Sequence, residues 1–255
     1  MELIDSHCHL YLAEFAVDID EVMERARNAG IKRFYLPSID RETEPLLFAL
    51  EARFPGECFA MQGLHPCSVK EDFRAELKRV ETSIASRNFA AMGEIGLDFY
   101  WDRRFETEQY QAFHQQIEWA LQYGLPIVIH SRQSMEQSIA VVRQHQKGNL
   151  AGIFHCYNDD EKWAMQIVEL GFYLGIGGTL TYKKSSLPEV LKNIPLRHIV
   201  LETDAPYLPP VPFRGKRNES SYLTYVVSKL AEIKGISVEE VASVTTSNAL
   251  KLFAA

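Results

Sequence analysis

Eight short apolar or β-branched runs punctuate the chain, and nearly every one gives way to a stretch patterned as a helix. The runs fall at about 2–7, 31–37, 57–63, 89–95, 126–130, 151–156, 172–177 and 199–203. Helical patterns fill 20–29, 106–123 and 160–170, and Gly30, Gly124 with Pro126, and Gly171 stop them. The first run leads instead into a loop around 11–17, and the last into a long proline-rich loop. Alternation of this kind predicts an α/β fold of parallel strands joined by right-handed crossovers. Eight repeats in 255 residues predict a closed (β/α)8 TIM barrel, which typically takes about 250 residues. Neither GxGxxG nor GxxxxGK[ST] occurs, which argues against the open-sheet nucleotide folds. Patterns at 219–233 and 237–252 predict two helices closing the barrel's end or side. With no linker or low-complexity stretch, residues 1–255 are expected to form one domain.

A barrel of this type carries its reactive side chains at the C-terminal ends of its strands. His7 and His9 close the first run, and two-residue alternation puts both on one face with Cys8 on the other. Glu94 closes the fourth run, His130 the fifth, His155 the sixth and Asp204 the eighth. Burying six such groups unpaired would be costly unless something binds them. Four imidazoles and two carboxylates exceed the three protein ligands usual for one open catalytic zinc. They suit two divalent ions about 3.5–4 Å apart with one bridging carboxylate. Glu94, midway around the ring, is the bridge by position. Zinc, manganese and magnesium are the candidate ions, and the imidazole-rich set suits Zn²⁺ or Mn²⁺ better than an all-carboxylate Mg²⁺ cage.

Composition narrows the setting. A net charge of −7 disfavours broad adhesion to nucleic acid, which needs clustered Lys and Arg, and leaves room for a local basic patch. No apolar run reaches the ~18 residues of a membrane span, and no basic n-region marks a secretory signal. Cys8, Cys58, Cys67 and Cys156 lack CxxC spacing, so they are expected to be free thiols in a reducing, cytoplasmic compartment. No exposed apolar stripe demands a protein partner, which makes a monomer the expectation.

Several motifs carry a resemblance: Asp5-Ser6-His7-Cys8-His9-Leu10, Gly63-Leu64-His65-Pro66, Gly93-Glu94-Ile95-Gly96-Leu97-Asp98 and Pro126-Ile127-Val128-Ile129-His130-Ser131-Arg132. Glu202-Thr203-Asp204-Ala205-Pro206, Arg214-Gly215-Lys216-Arg217-Asn218-Glu219 and Asn248-Ala249-Leu250-Lys251-Leu252-Phe253 complete the set. In this order, across essentially the whole chain, they resemble the TatD family of metal-dependent deoxyribonucleases within the amidohydrolase-like barrels. The resemblance implies that His7, His9, Glu94 and Asp204 hold one metal, and that Glu94, His130 and His155 hold a second. It also implies a nuclease that trims DNA from the 3′ end of single strands. Family members and close relatives hydrolyse different esters, so a small phosphoester, a lactone or an aminoacyl-tRNA ester is the alternative substrate. A non-catalytic metal-dependent binding module is the third reading. Tyr11 and Ser220 depart from the family pattern, which usually has an acidic or amide residue and a proline there. Both are expected in loops beside the mouth, where they bear on substrate fit.

The expected chemistry is metal-assisted hydrolysis, since bound cations lower the pKa of a water to around 7. Asp204 is the candidate base that orients the water and takes its proton. His65 is the candidate to bind the phosphate or protonate the leaving oxygen. Arg132 could fork a phosphate or form a rim salt bridge. Glu202 could orient a ligating histidine from behind or pair within the barrel core. Phe99, Tyr100 and Trp101 could stack on an unpaired base or simply pack the loop. Arg214, Lys216 and Arg217, with Lys183 and Lys184, could steer a phosphate backbone or form a solvated loop. Surface positions are expected for His114, His145 and His198, packing positions for Cys8 and Cys156, and a core stripe for Tyr110, Phe113, Ile117 and Ala120.

Overall fold

In the computed structural model residues 1–253 are described, so the last two residues of the expected 1–255 domain lie outside the described residues. The strands are β1 Leu3–Asp5, β2 Ile31–Leu36, β3 Cys58–Ala60, β4 Met92–Asp98, β5 Ile127–Arg132, β6 Gly152–Phe154, β7 Tyr173–Ile176 and β8 Ile199–Leu201. The helices are α1 Ile19–Asn28, α2 Glu44–Arg53, α3 Phe73–Ser86, α4 Glu106–Tyr123 and α5 Met135–His145. They continue with α6 Glu161–Glu169, α7 Leu187–Asn193, α8 Leu223–Lys234 and α9 Val238–Phe253. All strand pairs are parallel, in two sheets ordered β1-β2-β3 and β4-β5-β6-β7-β8. The fold is therefore α/β with parallel strands, as the alternation predicts.

Regular ladder pairing stops between β3 and β4 and between β8 and β1. Single backbone bonds cross both gaps. At the first, Gln62 N–H donates to Ala91 O (3.1 Å) and Gly93 N–H to Gln62 O (2.9 Å). At the second, Ser6 N–H donates to Leu201 O (3.0 Å) and Asp204 N–H to His7 O (2.9 Å). One apolar cluster draws on every strand or its flank: Ile4, Tyr35, Met61, Ala91, Val128, Ile153 and Val200, with Tyr173 partly buried against them. Ala249, Leu252 and Phe253 of α9 pack into the same cluster and cover it from one end. His130, His155 and Glu202 stand two residues beyond Val128, Ile153 and Val200, so alternation keeps them on the same face, one layer higher. That layer is where the polar centre lies.

Several strand boundaries differ from expectation: β3, β6 and β8 are shorter than their runs, so His155 follows β6, and β5 continues past His130 to Arg132. The fourth strand runs Met92–Asp98 rather than 89–95, which puts Glu94 inside it and Asp98 at its end. Gly96 makes the extension workable: its φ is +142°, and a Cβ there would strike the His130 carbonyl. The first strand stops at Asp5, so His7 and His9 follow it. Their segment is held from both sides, by Cys8 N–H on Tyr35 O (3.0 Å) and His9 N–H on Ala205 O (2.7 Å). Among the described residues no helix is long and apolar enough to cross a membrane.

Candidate metal centre

Glu94 is the hub. It is 2% exposed, and its two carboxylate oxygens face different sets of imidazoles. Oε2 lies 3.2 Å from His7 Nε2 and 3.7 Å from His9 Nε2. Oε1 lies 2.9 Å from both His130 Nδ1 and His155 Nε2, and 3.3 Å from His65 Nε2. Asp204 Oδ1 joins the first set, 3.6 Å from His7 Nε2 and 3.5 Å from His9 Nε2, and those two nitrogens are 3.2 Å apart. Four donors placed tetrahedrally at ~2.1 Å from a zinc-type cation are separated by about 3.4 Å. The distances from His7 and His9 to each other and to the two carboxylates, 3.2–3.7 Å, fall on either side of that value. Among the described residues three groups of His, Asp and Glu side chains lie close enough to hold an ion: His7, His155 and Asp204; His7, His9 and Glu94; His65, Glu94 and His130.

The far nitrogen of each ring separates candidate ligands from the rest, because a neutral imidazole has one N–H and one lone pair. His9 Nδ1 is 2.9 Å from the Tyr11 hydroxyl, which itself donates to Pro37 O at 2.6 Å. That hydroxyl can therefore only accept from His9, so His9 Nδ1 carries the proton and Nε2 keeps its lone pair for the centre. His130 Nε2 faces Asp98 Oδ2 at 2.8 Å, which leaves Nδ1 free toward Glu94. His155 Nδ1 faces Glu202 Oε1 at 3.5 Å. His65 is wired the other way. Its Nδ1 accepts the Cys67 N–H (3.0 Å), so the neutral ring has its proton on Nε2 and points a donor into the centre.

Burial and charge pull against each other here. Burial raises the pKa of Glu94, but His155, His65 and His7 outweigh it and hold the carboxyl well below its ordinary range. Asp204 is likewise held low, with burial opposed by His9, His155 and His7. Burial lowers His7 further with help from His155, whose ring stacks on it at 3.9 Å. Burial would also lower His155, but Glu94 and Glu202 raise it well above normal. Two carboxylates thus stay charged inside a ring of imidazoles.

Neighbouring groups set this geometry, and sequence reasoning had not singled several of them out. Asp5 is fully buried and accepts from Thr203 N–H (2.9 Å), Thr203 Oγ1 (2.6 Å) and Ser220 Oγ (2.6 Å). Burial pushes its pKa up to about 7, and those bonds oppose the rise. It ties the segment before His7 to the segment before Asp204, whose φ of +54° is unusual outside glycine. Asp98 Oδ1 accepts Tyr100 N–H (2.9 Å) and Trp101 N–H (3.0 Å), while Oδ2 holds His130. Glu202 is buried and accepts the Cys156 N–H, and a Cβ on Gly175 would collide with its Oε2. The signals for Asp5 and Asp98 were their places inside the motifs, Asp5 two residues before His7 and Asp98 four after Glu94.

The centre opens into a cavity of about 740 Å³ lined by His9, His65, Glu94, His130, His155 and Asp204, with Trp101, Arg132 and Tyr207 among the outer residues. Arg132 makes no ion pair among the described residues, so the rim salt bridge is absent. Its guanidinium lies 3.9 Å from the Tyr100 ring centre. Other expectations need correction. Tyr11 and Ser220 do not edge the mouth: both are buried, bonded to His9 and Asp5, because each chain segment folds under the centre. Cys156 lines the cavity instead of facing away, since its φ of +48° turns the backbone after His155. Arg217 is committed to Asp18 (2.7 and 2.6 Å), and Arg214 lies over Tyr182. His114 and His145 are half-buried and face each other at 2.7 Å. Cys8, Phe113, Ile117 and Ala120 are buried as expected, with Tyr110 packed at the core's edge.

The parallel α/β architecture is shared with solved hydrolase-type structures. The Escherichia coli phosphotriesterase homology protein aligns over 99% of this chain and 98% of its own with a TM-score of 0.71 at 16% identity, a likeness of fold. Within that architecture the chain belongs to the TatD family: the family described as TatD related DNase matches residues 4–254. A Bacillus subtilis (strain 168) relative named uncharacterized metal-dependent hydrolase YabD is 36% identical over 252 residues, covering 98% of each chain. The crystal structure of YJJV, a TatD homolog from Escherichia coli K12, superposes with a TM-score of 0.93 at 28% identity, over 99% of this chain and 98% of that one.

Proposed function

We propose that this chain is a metal-dependent phosphodiesterase, a deoxyribonuclease that removes nucleotides from the 3′ end of single-stranded DNA. In this reading residues 1–255 form one domain, and the two sheets close into a (β/α)8 barrel. The backbone bonds across both gaps and the cluster shared by all eight strands support closure. His7, His9, Glu94 and Asp204 would hold one divalent cation, and Glu94, His130 and His155 a second, either zinc, manganese or magnesium. The carrying observation is Glu94, whose two oxygens face two separate imidazole sets, as a bridging carboxylate must.

When bound, such cations supply Lewis acidity toward a phosphoryl oxygen and lower the pKa of water. The rest falls to the chain. Asp204, ionised and opening on the cavity, orients an attacking water and takes its proton. His65 presents Nε2–H to the phosphate or to the leaving oxygen, which that proton neutralises. Arg132, with no carboxylate partner among the described residues, forks a non-bridging oxygen. Glu202 and Asp98 hold His155 and His130 in orientation from behind. The chain is read as a cytoplasmic monomer whose four cysteines stay free thiols.

The test is hydrolysis by metal-reconstituted protein of single-stranded DNA, RNA, a p-nitrophenyl phosphodiester, a lactone and an aminoacyl-tRNA, with Glu94→Ala as control. Shortening of DNA from the 3′ end, lost in the variant, is expected. Turnover confined to a lactone or to the aminoacyl ester would move the assignment to another ester. No turnover with any metal would leave only a binding module.

A further inference from the structure

Two exposed aromatic rings follow β4, one of them lining the cavity, and Arg132 packs against both. Trp101 is 66% exposed and Tyr100 48%, in the loop that follows β4. Their ring centres are 4.8 Å apart and the planes meet at 82°. The Arg132 guanidinium sits against both, 3.9 Å from the Tyr100 centre and 5.1 Å from the Trp101 centre. Trp101 and Arg132 also line the cavity that holds Glu94, His130 and Asp204. The loop is not free to drift. Asp98 Oδ1 accepts the N–H groups of Tyr100 and Trp101 while Oδ2 holds His130, so one carboxylate fixes both loop and centre.

We infer that Tyr100, Trp101 and Arg132 form a nucleobase shelf, which receives the unpaired base of the nucleotide next to the scissile phosphate. The inference rests on the phosphodiester reading of the centre. An aromatic face and a stacked guanidinium are the surfaces on which unpaired bases lie, and any base presents a π-face to them. The positive charge of Arg132 has no carboxylate partner among the described residues, so it is available to the phosphate that accompanies the base. A small aliphatic ester would use neither ring. A base inside a duplex is already stacked and paired, so the shelf selects single strands without reading sequence.

Equilibrium binding tests this in EDTA, where no turnover occurs, by fluorescence anisotropy of labelled tetrathymidylate and of an abasic strand of equal length. The wild-type chain should bind the thymidine strand about ten-fold more tightly than the abasic one, the size expected for one stacked base. Trp101→Ala should erase that preference, and Trp101→Phe should restore most of it. Circular dichroism checks that both variants are folded. Equal affinity of the wild type for the two strands, binding of neither, or an intact preference in Trp101→Ala would overturn the shelf. Hydrolysis is scored separately with Mn²⁺. A strand preference without phosphodiester cleavage would reject the nuclease reading and leave the shelf standing.

Discussion

Tyr11 stands behind His9: its hydroxyl oxygen accepts from His9 Nδ1 at 2.9 Å because its own proton is given to the Pro37 carbonyl at 2.6 Å. One phenol thereby selects the tautomer of a ring that faces the centre. Tyr11→Phe removes that acceptor while keeping the buried ring. Metal affinity should fall about 10–100-fold, the usual effect of losing such a supporting bond. Chelator competition measures it. An unchanged dissociation constant would show that His9 needs no such anchor.

Asp204→Asn keeps a ligating oxygen of similar size and removes the proton acceptor. Metal content should be retained, while kcat falls by about 10²–10⁴, the range attributed to a general base. Elemental analysis and steady-state rates on one substrate separate the two effects. Wild-type rates in this variant would take Asp204 out of the proton transfer.

Metal should stabilise the fold, since the donors come from β4, β5 and the segments after β1, β6 and β8, and converge only in the native state. At free metal about 100-fold above the dissociation constant, the gain is about 2.7 kcal/mol. For a chain of this size that raises Tm by about 5–10 °C. Scanning calorimetry with Mn²⁺ and with EDTA should show this shift in the wild type and none in Glu94→Ala. The same shift in both proteins would place the stabilising ion elsewhere.

A pH-dependent contribution lies farther out. Glu219 is buried, which raises its pKa, but the Arg25 fork at 2.8 and 2.7 Å overrides burial and holds the carboxyl below its ordinary value. A carboxyl lowered on folding stabilises the protein above its unfolded pKa, ~4.3 for Glu, and loses that contribution as pH falls through the lowered value. Arg25 is half-exposed, so screening limits the contribution to about 1 kcal/mol. Arg25→Met should therefore lower the urea midpoint at pH 7 and approach wild type near pH 3. An equal gap at both pH values would mean the loss is packing.

Much of the centre was legible in order along the chain. His130 lies inside β5 and His155 directly follows β6, and two-residue alternation carries both onto the face of Val128 and Ile153. Local pattern was enough there, because a strand's geometry repeats from one residue to the next. The pattern misplaced the end of β4, since the chain continues past Glu94 on the permissive φ of Gly96, and no hydropathy pattern records that. It also put Tyr11 and Ser220 at the mouth, although both turn beneath the centre to meet His9 and Asp5.

The amino-acid order alone determined the parallel α/β class, the family and the residues that gather at the strand ends, because these depend on periodicity and on which side chain follows which strand. Only tertiary structure decided their roles. His65 and His9 are the same residue type beside the same carboxylate. The Cys67 N–H makes one a donor, and the Tyr11 hydroxyl leaves the other a lone pair. A ring's tautomer is set by whatever faces its second nitrogen, and the folded chain alone brings that partner into place.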